Sequence, residues 1–239
     1  SVAVASSADI WQYHHGSSAS ANAVLMDADA SGTAMGLSRD VADIDMRSIS
    51  DAAAEKAERG RSPEAVEPGT YQVVLEEAAV AQMIEFLAFE SFNGLFHEEG
   101  RSFTSSSMGE AVMGDNISIW DDGMDRTGIP SPFDGEGVAR ERVDFIKNGV
   151  LKAVVYDHQT AAKYGRQDTG HAWTAPNPYG PVASNLFMAP GEVKSVDELV
   201  RSVDRGILVT TFHYTNLVEP MRVVLTGMTR HGTFLIENG

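Results

Sequence analysis

The feature that most constrains this chain is the apolar run from Val80 to Phe96, which Gln82, Glu85 and Glu90 interrupt. A bilayer span needs ~20 predominantly apolar residues, so this run is a helix for the interior of a folded domain. Glu76 and Glu77 stand ahead of it, where the positive end of the helix macrodipole favours acids. Asn93-Gly94 closes it with a helix-stopping pair. The pattern predicts one helix from Glu76 to about Asn93, entered from the strand Tyr71–Leu75. Upstream lies a charged stretch, 61–69, holding Pro63 and Pro68. It is the expected linker between two domains.

Before the linker, residues 1–60 read as the end of a smaller α/β domain. Residues 21–26 and 33–37 flank the turn Asp27–Gly32 and predict a hairpin. Met46, Ile49, Ala53 and Ala57 recur at three- and four-residue spacing, which predicts an amphipathic helix over Asp45–Arg59 capped by Asp43 or Asp45. After the linker, residues 70–239 read as a β-rich domain with a few helices. Residues 116–120 and 142–147 alternate as strands, while 100–114 is serine-rich and expected to be loop. Asn148-Gly149 separates 142–147 from the apolar run 150–155 and is a strong hairpin signal. Short helices are expected at 157–164 and 195–203, then three closing strands at 207–213, 222–228 and 233–237. The fold class is therefore α+β. Both ends of the sequence read as the interior of a longer chain.

Composition narrows the function. The net charge is −16, five of the eighteen basic residues are lysine, and no basic cluster stands out. Phosphate-backbone binding needs such a cluster to release counterions, so a nucleic-acid partner is not expected. The acidity suits a soluble surface or adaptation to high salt. There are no cysteines, which removes disulfides, thiolate catalysis and sulfur-ligated metals from this chain. With no basic, apolar leader at the N-terminus and no spanning segment, a cytoplasmic location and no membrane partner are expected.

The seven histidines form no HExxH, the spacing that puts two imidazoles on one helix face. His14 and His15 are adjacent and would point to opposite faces of a strand. His97-Glu98-Glu99-Gly100 opens like a metal motif but does not continue as one. Asp121-Asp122-Gly123-Met124-Asp125 lacks the spacing of a calcium loop and reads as an acidic turn. Nucleophile elbows, phosphate loops and dinucleotide-binding glycine motifs are absent.

The order of landmarks nonetheless resembles one family. Pro68-Gly69-Thr70-Tyr71-Gln72-Val73-Val74-Leu75-Glu76 is similar to the PGxYxVVLxP strand of TldD/PmbA metallopeptidases. Phe133-Asp134-Gly135-Glu136-Gly137 and the later Arg142…Gly149-Val150-Leu151 follow the same family's pattern. So do Tyr156-Asp157-His158-Gln159-Thr160-Ala161, Thr169-Gly170-His171, Ser184-Asn185-Leu186 and Ala189-Pro190-Gly191. The resemblance implies that catalytic members carry HExxxH on the helix after the opening strand and bind zinc there. Here that stretch reads Phe89-Glu90-Ser91-Phe92-Asn93-Gly94: the glutamate stays, and both histidines are replaced. Residues five apart sit about 140° apart around an ideal helix, so such a motif works at a π-bulge or a helix end.

The resemblance implies a TldE/PmbA-like subunit without a zinc site of its own, its Glu90 a remnant of the motif. It implies intracellular peptide processing, with zinc in a TldD-like partner and an extended peptide held between subunits. Thr169, Gly170, His171 and Asn185 are then candidates for lining the peptide channel. Two other readings stay open at this point. One is an active metal-dependent hydrolase with a displaced site drawn from His97, Glu98, His171 and His213. The other is a non-enzymatic protein that only self-associates, for example as a dimer.

Overall fold

The computed structural model describes residues 1–239. In chain order the elements are β1 Val2–Ala5, β2 Trp11–His14, β3 Ala19–Met26, β4 Ser31–Ser38, α1 Met46–Arg59, β5 Gln72–Leu75 and α2 Glu77–Phe86. A π-helical turn, Leu87–Ser91, follows. Then come α3 Gly94–Glu98, α4 Thr104–Ser107, β6 Ile119–Asp121, β7 Val143–Lys147, β8 Val150–Leu151, α5 His158–Tyr164, β9 Leu186–Met188, α6 Val196–Arg201, β10 Arg205–Glu219 and β11 Val224–Glu237. The class is α+β, as the sequence predicts. No helix is long and apolar enough to cross a membrane.

The chain forms two compact units. The first contains residues 1–17, 84–190 and 217–224. Its centre is an antiparallel sheet in the order β8-β7-β6-β9. Asn148 and Gly149 both take positive φ, 49° and 77°, the conformation a two-residue turn between β7 and β8 requires. Phe92, Phe145, Ile146, Leu151 and Val155 are almost wholly buried and form the core. The rings of Phe92 and Phe145 stack 4.3 Å apart. The β1–β2 hairpin belongs to this unit.

The second unit contains residues 18–83, 191–216 and 225–239. The β3–β4 hairpin pairs residue for residue from Ala19↔Ser38 to Met26↔Ser31. It packs against α1, whose buried face is Ile49, Ala53 and Ala57. Asp45 caps α1 by accepting hydrogen bonds from Arg47 N and Ser48 N. Beside these lies a three-stranded sheet, β11-β10-β5, in which β5 runs parallel to β10. Val74, Val203, Leu208 and Ile236 make its core.

Four local expectations change. The helix expected to reach Asn93 breaks at Phe86 into the π turn, and a further short helix restarts at Gly94. The serine-rich 100–114 stretch contains the helical turn α4. The strand expected at 116–120 starts later, at Ile119. Three closing strands become two long ones, β10 and β11. The positive φ values of His231 and Gly232, 57° and 125°, sit inside β11 without ending it. Positive-φ backbone within a paired strand is the geometry of a bulge, which bends a strand without ending it.

Candidate functional site

Two places in the first unit carry the residues of interest. One is the helix end at Phe89–Gly94. Phe92 N–H donates to Leu87 O at 2.8 Å, an i→i−5 bond. The extra residue in the turn is the geometry a HExxxH spacing demands. Chain direction then changes sharply. Gly94 N donates to Val155 O and Val155 N to Phe92 O, so residues 92–94 run beside Val155 as a short parallel bridge. Asn93 is fully buried. Its side chain accepts from Leu95 N and Phe96 N, which caps α3, and donates to Tyr179 O at 2.7 Å.

Neither replaced position offers a ligand atom. The Phe89 ring lies 6.2 Å from that of Tyr179. A Cβ on Gly94 would fall 2.4 Å from Val155 O and 2.7 Å from two carbons of the Tyr156 ring. A histidine there has no room. The Tyr156 hydroxyl donates to Glu98 at 2.7 Å, and Arg166 Nε donates to the same carboxylate at 2.7 Å. The Arg166 hydrogen bond, helped by the tyrosine, holds the Glu98 carboxyl below the usual range. Burial, and then the hydrogen bond to Glu98, push the Tyr156 phenol up. Glu90 is half-buried, and burial pushes its carboxyl up against the pull of Arg101. These residues do not fit a metal ion.

The displaced-site set is not assembled either. His97 Nδ1 lies 3.2 Å from Thr104 Oγ1, and Glu98 is engaged as above. His171 is buried elsewhere in the unit, while His213 belongs to the second unit, against Arg230. No three His, Asp or Glu side chains are grouped to hold an ion.

The second place is a cleft of about 420 Å³. The Phe133–Gly137 motif forms one wall: Phe133, Asp134 and Gly135 face the cleft, with Arg140 beside them. Trp173, Thr174, Val182 and Ser184 form another wall, and Val2, Ala3 and Val4 of β1 line it as well. The Asp134 carboxylate accepts from the amides of Glu136, Val138 and Ala172 at 2.8–3.0 Å. Asp121 is fully buried and accepts from the amides of Ser184 and Asn185, both at 2.7 Å. His171, also fully buried, places Nε2 3.1 Å from Asp121 and Nδ1 2.9 Å from Thr169 Oγ1.

The candidates Thr169, Gly170, His171 and Asn185 thus meet in one network behind the cleft. Asn185 accepts from Ile129 N and donates to Asp122 O and Asp125 O. Gly170 has φ +71°, and a Cβ there would lie 2.3 Å from Ala139 O. Only glycine lets the 169–171 segment approach the backbone that carries Arg140. Arg140 and Trp173 emerge from the structure, not from the sequence. Asp121 and Tyr156 stand in stretches the sequence singles out, an acidic turn and a family landmark, but their partners emerge only here.

The sequence profile of the PmbA/TldA metallopeptidase C-terminal domain matches residues 68–239. The chain belongs to the TldD/PmbA metallopeptidase family. A metalloprotease TldD homolog of Buchnera aphidicola is 29% identical over 147 residues, 60% of this chain and 30% of that protein. Metalloprotease PmbA of Escherichia coli O157:H7 is 29% identical over 141 residues, 58% of this chain and 28% of that one. The crystal structure of TldE from Thermococcus kodakarensis superposes with a TM-score of 0.80 at 21% identity. It covers 97% of this chain and 54% of its own, and shares the fold. The TldD/PmbA-type chain thus spans about half of the TldE chain, and its matches to the two curated relatives cover less than a third of each.

Proposed function

We propose that this TldD/PmbA-family chain is the non-zinc subunit of a peptide-processing pair and acts with a TldD-like partner that keeps HExxxH. In this reading residues 1–60 close an N-terminal α/β domain, 61–69 link, and 70–239 form the peptidase-type domain. The observation that carries the reading is Gly94. The position of a second histidine ligand is closed by Val155 O and the Tyr156 ring, and the Glu98–Arg166 pair holds that ring in place. A zinc-bound water is what would make a glutamate beside it a general base, so Glu90 has no hydrolytic role in this chain. The partner supplies zinc, and this chain helps to hold an extended peptide. Thr169, Gly170, His171 and Asn185 serve the peptide channel from behind, by fixing the wall that Ala172 and Ser184 present to the cleft. The pair works inside the cell.

The test is to purify the full-length protein alone and together with a HExxxH-bearing homologue. Zinc and peptidase activity are expected only when the homologue is present. Stoichiometric zinc in the isolated protein overturns the reading.

A further inference from the structure

We infer that the Arg140 cleft is a binding site for a carboxylate that carries an apolar side chain. Arg140 lines the cleft, yet its Nε and Nη1 are shielded from solvent and have no hydrogen-bond acceptor. Leaving buried guanidinium donors unmade is costly, because the group loses water and gains nothing. Its two acidic neighbours do not relieve it. Each oxygen of Asp134 and Asp121 already accepts from a backbone amide or from His171. They act on Arg140 through space without bonding it.

This arrangement offers donors to a ligand. An incoming carboxylate finds a cation with spare donors, whereas the oxygens of Asp134 and Asp121 are already turned toward protein donors. Carboxylates pair with guanidinium through short, charge-assisted bonds. A small rotation of the Arg140 head toward the cleft brings those donors to the ligand. The apolar half of the site is Phe133, Val182 and Trp173, the last about half exposed at 54%. A volume of about 420 Å³ falls at the lower end of small-molecule sites, ~300–1,000 Å³. It suits one amino-acid-sized group. That group can be the C-terminal residue of a peptide or a free acid. The peptide source rests on the function proposed above; the site itself does not.

The test is calorimetry on the full-length protein with N-acetyl-phenylalanine and its amide. The acid is expected to bind about tenfold or more tightly than the amide, with an affinity that falls as salt rises. Arg140→Gln should remove that preference, and Trp173→Ala should weaken both ligands. Equal affinity for acid and amide, or no binding of the acid, overturns the site. So does an unchanged acid affinity in a folded Arg140→Gln protein. Should that variant fail to fold, the acid-to-amide ratio of the unmodified protein and of Trp173→Ala decides alone. Pentapeptides ending in free or amidated phenylalanine separate the sources. Preference for the free-ended peptide supports the peptide source. Exclusion of both while the small acid binds supports the site and overturns that source, leaving the proposed partnership to its own zinc test.

Discussion

The helix end at Phe89–Gly94 and the cleft at Arg140 lie in the same unit and are built in opposite ways. At the helix end, space is filled and most polar groups are matched, the buried Ser91 hydroxyl excepted. Tyr156 occupies the volume beside Gly94, Glu98 takes up its hydroxyl, Arg166 takes up Glu98, and Asn93 satisfies three neighbours. At the cleft, space is open and a cation is left with unused donors. The contrast sets a packed helix end against an open cleft within one unit. Packing fills the first region without any ligand. The second stays incomplete until something enters it.

The sharpest way to break that contrast is Gly94→Ala. If the helix end is as tightly filled as the 2.4 Å approach to Val155 O implies, one methyl must displace backbone. The expected loss is about 2–4 kcal/mol of stability, read by chemical denaturation. A neutral result would mean that the region yields easily and that a histidine could be accommodated. Tyr156→Phe is the milder probe. It removes the hydroxyl from a charged acceptor and should cost about 1.5 kcal/mol at pH 7. The Glu98 carboxyl sits below its ordinary value of 4.5, chiefly through Arg166. Its contribution is therefore complete above that value and is lost as pH falls through the depressed pKa. The gap between the unmodified protein and Tyr156→Phe should narrow on acidification below ~4.5. A gap independent of pH would show that the hydroxyl is not bonded to a charged Glu98.

What the sequence disclosed about these regions depends on how local each feature is. Asp45 caps a helix two and three residues ahead, and Asn148-Gly149 turns a hairpin on its own backbone. Both are legible because cause and effect are neighbours in the chain. The absence of histidine at positions 89 and 94 is legible for the same reason. The filling of the space beside Gly94 is not, since Tyr156 lies 62 residues beyond it and nothing near it announces the contact. Asp121 reads as part of an acidic turn because its partners are the amides of Ser184 and Asn185, more than sixty residues on. Arg140 is harder still: an arginine in a loop looks solvent-exposed until the fold covers its donors. The long strand β11 is missed for a related reason: its continuity through His231 and Gly232 depends on pairing with β10, not on local residue preference.

Glu90 tests whether the comparison holds at its weakest point, because it is the charged group at the helix end that burial leaves without a hydrogen-bonded partner. Burial raises its carboxyl above the ordinary 4.5, with Arg101 pulling the other way. A folded-state pKa above the unfolded one means that the native protein holds its proton longer. Stability is then lost as pH rises from the ordinary value through the raised one, and the charged form is carried at a cost at pH 7. Glu90→Gln should accordingly raise the melting temperature at pH 7 by about 1–2 °C. The gain should vanish below about pH 4, where both proteins are neutral at this position. A glutamate held by a cation would behave otherwise: its replacement would lower the melting temperature at neutral pH. That result would place Glu90 among the matched groups of the helix end.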